Sequence, residues 1–323
     1  MDWDGCSGGN HDRGSFEEDK AAEGFIVQPW KGGCSLLIGR AVAYGAVTII
    51  NAISCGLGAA LSIGLETEAI VKLTSKPGNI EGKILSDPSE NPILIDKVVR
   101  HVLRRFQLEN QYGAYVETRS NIPIARGLKS SSAAANAITL ATLSALGEEA
   151  DDLSIINIGV DASIEAGVTV TGAFDDACAS YFGNIVITDN YNRKILKRLR
   201  PEGNYAILIH VPPKKAYTSK SDVKRMKIIA EQVKALHRMA LLGDYWTAMT
   251  LNGLLYSAVL GYDVNIALDA LAEGAVAAGL SGKGPAVASV VPREKIGHVR
   301  DAWSKYEGEI IETNINCEKA HIL

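Results

Sequence analysis

Pro123-Ile124-Ala125-Arg126-Gly127-Leu128-Lys129-Ser130-Ser131-Ser132-Ala133-Ala134-Ala135 is the stretch on which the fold turns. A turn-forming proline, a glycine and three hydroxyls lead into tiny side chains that continue without charge to Leu146. Rich in alanine and stopped by Gly147, Ser130–Leu146 reads as a buried helix. The free N–H groups at a helix N-terminus, together with the dipole, favour an anion there. Small side chains let a polyphosphate come close, and a serine hydroxyl can add a hydrogen bond or ligate magnesium. The competing interpretation is a serine N-cap on an ordinary core helix.

Upstream, Tyr112–Glu117 has the pattern of a strand leading into Asn121-Ile122-Pro123. Ile93, Val98, Val99, Leu103 and Phe106 share one face of an amphipathic helix, with Arg100, Arg104 and Arg105 outside. Further back, Ala41–Leu65 carries no charge and is long enough to cross a membrane. Asn51, Ser54 and four glycines interrupt it, and no basic cluster flanks it. It reads as two buried strands joined by a small-residue turn. Residues 1–24 are polar and acidic, unlike a secretory signal, and residues 1–35 are set aside as a disordered extension.

Downstream, Asp152 is expected to cap a helix reaching Glu165, and Tyr181–Thr188 to form a hairpin with Lys194–Leu199. Pro201-Glu202-Gly203 is the best boundary, dividing the chain into domains 36–200 and 201–323. The second half opens with a strand at Tyr205–Val211. Helices follow near 221–241, 244–260 and 264–278, then a strand at 286–291, a helix at 293–306 and a strand at 309–315. The mixture indicates an α+β fold.

Composition narrows the function. In 323 residues, Lys plus Arg total 33 against 37 Asp plus Glu, a net charge of −4, which disfavours nucleic acid or an anionic membrane as partner. Cys6, Cys34, Cys55, Cys178 and Cys317 form no CxxC pair, and the histidines have no metal-ligand spacing. Walker, Rossmann and nucleophile-elbow motifs are absent.

Two more segments carry chemistry. Glu165 precedes Gly167-Val168-Thr169-Val170-Thr171-Gly172-Ala173-Phe174-Asp175-Asp176. Carboxylates around a short Gly/Thr segment suit magnesium-dependent transfer, one holding metal and another orienting or deprotonating a hydroxyl. Alternatively, one aspartate caps a helix starting near Ala177. Gly279-Leu280-Ser281-Gly282-Lys283-Gly284-Pro285-Ala286 is a nearly bare loop before an apolar strand, and could let backbone approach a ligand.

In their order, Gly39-Arg40, the Pro-x-x-x-Gly-Leu-x-Ser-Ser segment, the Asp motif and Ser-Gly-x-Gly-Pro resemble the GHMP kinase superfamily over residues 36–323. Within it, TIINAI at 48–53, GLKSSSA at 127–133 and DASIEAGVTVTGAFDDACAS at 161–180 resemble the archaeal-type shikimate kinases. The resemblance implies ATP-dependent phosphorylation of the 3-hydroxyl of shikimate, in the cytoplasm, on the route to chorismate and aromatic amino acids. It implies a domain like ribosomal protein S5 domain 2, with a left-handed crossover, followed by a ferredoxin-like domain. It assigns Ser131 and Glu165 to magnesium and Asp175, or its neighbour Asp176, to catalysis. Arg40 is assigned to the transferred phosphoryl group, and Gly127, Leu128, Lys129, Ser130, Ser131, Ser132, Ala133 and Ala134 to the ATP phosphates. Lys129 stands where the superfamily has a second glycine, so either the loop backbone differs or Lys129 contacts phosphate.

A buried substrate carboxylate needs a cationic partner, for which Arg119 is the first candidate and Lys283 the second. Thr169 and Thr171 are candidates for ring hydroxyls, with Ser281, Gly282 and Gly284 close to substrate. The expected partners are therefore shikimate and ATP with Mg2+, not nucleic acid or membrane. The alternatives are a GHMP kinase for homoserine or mevalonate, a decarboxylase of the same fold, and a nucleotide-binding regulator without catalysis.

Overall fold

A computed structural model describes residues 37–169, 172–216 and 223–323. The charge-free run forms all but the start of β1 (Ile38–Ile50) and the first half of β2 (Leu57–Thr74), antiparallel and joined by a short 3-10 turn at Ala52–Ser54. After them come β3 (Ile80–Ile84), α1 (Ile93–Arg105), β4 (Gly113–Ser120), α2 (Ser130–Leu146), α3 (Asp152–Glu165) and α4 (Phe174–Phe182). The hairpin β5 (Ile185–Asp189) and β6 (Lys194–Leu199) closes this half.

A seven-stranded sheet runs β11-β1-β2-β4-β3, where β11 is His321–Ile322 near the end of the chain. β2 is long enough to serve two partners: Leu57–Leu61 pairs with β5, and Thr67–Thr74 with β4. β3 and β4 are parallel and joined through α1. Small residues on β1 let α2 lie close against it, since a Cβ at Gly39 would come 2.0 Å from the Ala141 carbonyl oxygen. The low charge of this segment therefore serves helix-on-sheet packing. No helix among the described residues is long and apolar enough to cross a membrane.

The second half contributes β7 (Tyr205–Val211), α5 (Val223–Lys227), α6 (Ala230–Leu241), α7 (Tyr245–Leu260) and α8 (Asn265–Ala272). Then follow β8 (Ala277–Leu280), β9 (Val287–Pro292), α9 (Ile296–Trp303) and β10 (Glu309–Asn314). Its sheet runs β10-β7-β9-β8. One apolar core joins Ile49, Ile50 and Leu61 of the first sheet to Ile207, Tyr256 and Trp303 of the second half.

Several expected boundaries move. Asp151, not Asp152, is the N-cap of α3, accepting from the Ser154 N–H. The strand expected from Tyr181 begins at Ile185, because α4 runs to Phe182 and ends at Gly183 with φ +72. The helix expected to reach 278 stops at Ala272; Gly274 turns the chain at φ +96 and Ala277 starts β8. The described part of the helix expected over 221–241 is split into α5 and α6. β3 and β11 are too short to leave a periodic signal in the sequence.

Candidate active site

A cavity of about 290 Å³ opens where the ends of several elements meet. Its lining includes Thr48 and Asn51 at the end of β1, Gly127, Lys129, Ser130 and Ser131 at the start of α2, and Gly167–Thr169 after α3. Asp175 and Asp176 of α4 and Gly282–Gly284 of the β8–β9 loop complete the polar part, and Glu90, Ile124 and Ala216 line it too.

The β8–β9 loop is stapled to the phosphate-loop segment and to the end of β1 through Ser281, which is wholly buried. Its hydroxyl donates to the Gly127 carbonyl at 2.7 Å and accepts the Thr48 N–H at 3.2 Å. The Gly282 N–H donates to Thr48 Oγ1 at 2.8 Å, and Asn51 Nδ2 to the Gly282 carbonyl at 2.8 Å. Gly127 adopts φ +87, where a Cβ would lie 2.1 Å from the Ser281 carbonyl oxygen, so only glycine fits this crossing. Ser281 thus fastens loops and does not face the cavity as a substrate contact.

The N-cap of α2 is Lys129, left-handed at φ 64 and ψ 29, with no side-chain cap hydrogen bond. The alternative of a serine cap is therefore not what starts this helix, and its first turn presents Ser130 and Ser131 to the cavity. Leu128, Ser132, Ala133 and Ala134 do not line it; Leu128 is buried in the core instead.

α4 starts at Phe174, three residues earlier than expected, so Asp175 and Asp176 lie inside its first turn and cap nothing. Successive helical residues diverge by about 100°, which sends the two carboxylates to different partners. Asp175 is buried, and its Oδ1 accepts from Asn190 Nδ2 at 2.7 Å. Asn190 Oδ1 in turn takes the Asp175 N–H at 3.2 Å and the Thr188 hydroxyl at 2.7 Å. Burial and the neighbouring Asp176 push Asp175 up to about 7, against the opposing pull of Lys129 and Asn190. Asp176 pairs with Lys129, Nζ to Oδ1 3.0 Å. Lys283 is pushed down to about 8 by burial and by Lys129.

Three expected residues lie elsewhere. Arg40 sits at the far end of β1, eight residues from Thr48 or about 26 Å at strand spacing. It is 54% exposed there and pairs with Glu68 at 2.6 Å. Arg119 stands opposite Glu68 on β4, exposed and outside the cavity lining. Glu165 ends α3 facing α1, where Lys97 at 2.7 Å and His101 at 2.8 Å hold its carboxyl down to about 2. Thr169 lines the cavity, whereas Thr171 lies outside the described residues.

The donors present fit a magnesium nucleotide: a helix N-terminus without a side-chain cap, the Ser131 hydroxyl and two lysines face one cavity. Of the two residues assigned to Mg2+, Ser131 lines the cavity and Glu165 is turned toward α1. Thr48, Asn51 and Asn190 were missed from sequence. Only TIINAI, noted as a motif without roles, pointed at the first two.

Residues 94–184 match the family model of the GHMP kinases N-terminal domain. Over 282 residues the chain is 49% identical to the shikimate kinase of Methanosarcina mazei, covering 87% of this chain and 95% of that protein. The Methanosarcina acetivorans shikimate kinase is 47% identical, covering 87% and 95%. Among solved structures, homoserine kinase from Cytophaga hutchinsonii superposes with a TM-score of 0.71 at 17% identity, covering 91% of this chain and 100% of that one. This likeness bears on the fold alone.

Proposed function

The chain belongs to the archaeal-type shikimate kinases of the GHMP kinase family, and from this premise we propose how its cleft carries the reaction. The observation that supports the assignment best is a buried carboxylate, Asp175, clamped by Asn190 and facing the same small cavity as the start of α2.

GHMP kinases use ATP with Mg2+. The phosphates lie against the first turn of α2, whose N–H groups and dipole favour them. When bound beside Ser131, the magnesium ion neutralises phosphate charge. Shikimate places its 3-hydroxyl against Asp175, which accepts the proton as O3 attacks the γ-phosphorus and the bond to ADP breaks. A carboxylate lifted to about 7 is matched to this task near neutral pH. In the free enzyme kcat/KM therefore rises with pH through that region as Asp175 ionises.

Lys283 replaces Arg119 as partner of the substrate carboxylate. It lines the cavity, has no acidic partner within ion-pair distance among the described residues, and gains from any anion that offsets its burial. Thr169 is placed to meet a ring hydroxyl. Lys283→Met is expected to raise KM for shikimate about 10–100-fold while kcat changes less, the cost of an unpaired buried carboxylate. Steady-state kinetics with shikimate varied at saturating ATP checks it. Arg40→Ala is expected to leave kcat and both KM values within about twofold, the usual outcome for an exposed ion pair remote from a site. A hundredfold loss in that variant would restore Arg40 to the transfer step.

The product is shikimate 3-phosphate, and we place the enzyme in the cytoplasm with the rest of aromatic biosynthesis. The purified protein with ATP and Mg2+ is expected to phosphorylate shikimate and to leave homoserine and mevalonate unchanged. Turnover of either alternative with none of shikimate would overturn the substrate. Nucleotide binding without any transfer would favour a regulator.

A further inference from the structure

With Arg40 far from the cavity, the transferred phosphoryl group needs its cation from elsewhere. Lys129 and Lys283 are the cationic side chains lining the cavity among the described residues. Lys129 occupies the N-cap of α2 in a left-handed conformation, which strains a side-chain-bearing residue. A residue that pays this penalty where glycine would be free needs a compensating use for its side chain. That side chain is 8% exposed, passes over bare Gly282, and stops 3.0 Å from Asp176. A buried ammonium without a carboxylate partner is costly, and Asp176 supplies one. The next residue along the helix is the clamped Asp175. Lys129 thus stands between the helix terminus that suits the phosphates and the carboxylate that suits the acceptor hydroxyl.

We propose that Lys129 is a catalytic residue: its ammonium, carried by the phosphate loop itself, meets the γ-phosphoryl group in transit, and Asp176 is the carboxylate on which it docks when the cleft is empty. This rests on the phosphoryl-transfer reading of the cleft. In the step, the bond from the γ-phosphorus to the ADP oxygen breaks with its electron pair leaving on ADP. The bond from phosphorus to O3 forms, and the O3 proton passes to Asp175. Lys129 exchanges neither proton nor electrons; it offsets charge on the transferring oxygens. The two aspartates thereby divide the work, Asp175 toward the hydroxyl and Asp176 toward the cation.

Lys129→Gly separates this role from folding, because glycine adopts the left-handed conformation without penalty. The variant sheds that strain but leaves Asp176 without its cation, so its fold is checked on the double variant Lys129→Gly/Asp176→Asn, which removes both and is expected to melt close to the parent. Its kcat on shikimate, with both substrates saturating, is expected to fall about 100-fold, as for loss of one preorganised charge. Lys129→Arg should recover about tenfold of that loss. The double variant Lys129→Gly/Asp176→Asn should stay slow. Any of three results overturns the proposal: kcat of Lys129→Gly within threefold of the parent, a loss confined to KM for ATP, or recovery in the double variant, which would trace the defect to an unmasked Asp176. The parent on shikimate in the same assay tests the underlying reading separately; if it turns nothing over, that reading falls, whatever the variants do.

Discussion

Asp175→Asn is expected to lower kcat on shikimate about a thousandfold, the range for removing a positioned general base. The amide keeps the shape of the carboxylate and still accepts from Asn190 Nδ2 through its oxygen, so the clamp survives. What disappears is the basicity at the acceptor hydroxyl. The same substitution is expected to stabilise the fold at alkaline pH, and the sign follows from the titration. Folded Asp175 titrates at about 7, whereas an unfolded aspartate titrates near 3.9. The folded state holds this proton more tightly, so its contribution is complete below pH ~4 and is lost as pH rises through ~7. Asparagine has no proton to lose. Melting curves should therefore place the variant above the parent at pH 8, with the gap closing towards pH 4. An inactive variant less stable than the parent at pH 8 would mean that the carboxylate serves structure instead.

Gly127→Ala is expected to cost both stability and turnover. The added methyl would meet the Ser281 carbonyl oxygen at 2.1 Å and the Gly284 carbonyl oxygen at 3.3 Å, backbone atoms that cannot swing aside. The left-handed φ of +87 adds its own strain. Conformational and packing penalties together amount to about 2–5 kcal/mol, which lowers Tm by roughly 3–7 °C in a chain of this size. Relief comes by parting the two loops, which breaks the Ser281 bond to Gly127 and moves Lys129 away from Asp176. Loss of kcat should therefore accompany the loss of Tm. Thermal unfolding and initial rates on one preparation check both; an unchanged Tm would show that the crossing is looser than its distances say.

What was legible in the chain was local. Ser130–Leu146 and its stop at Gly147 follow from alanine content and one left-handed glycine, and Tyr205–Val211 from a run that is apolar but for His210. Gly127, Lys129, Ser130 and Ser131 of the phosphate-loop segment line one cavity with Asp175. What failed was the direction of side chains at the ends of elements. Arg40 and Glu165 stand in the right order along the chain, yet strand length carries one away from the cleft and the facing helix α1 captures the other. Asn190 carries no local signature at all, because its meaning depends on a hairpin folding back beside a residue fifteen positions earlier. Lys129 is the converse case. A departure from the glycine pattern leaves open a different loop backbone or a phosphate contact, and the backbone keeps the conformation glycine favours while the loop gains a cation.

The direct measurement of the central claim is a crystal structure with shikimate, Mg2+ and a non-hydrolysable ATP analogue bound together. The account predicts the β- and γ-phosphates on the first turn of α2. It also predicts the shikimate 3-hydroxyl at hydrogen-bond distance, about 3 Å, from Asp175, and the shikimate carboxylate on Lys283. Shikimate with its 3-hydroxyl turned away from Asp175, or phosphates bound beside Arg40, would contradict it.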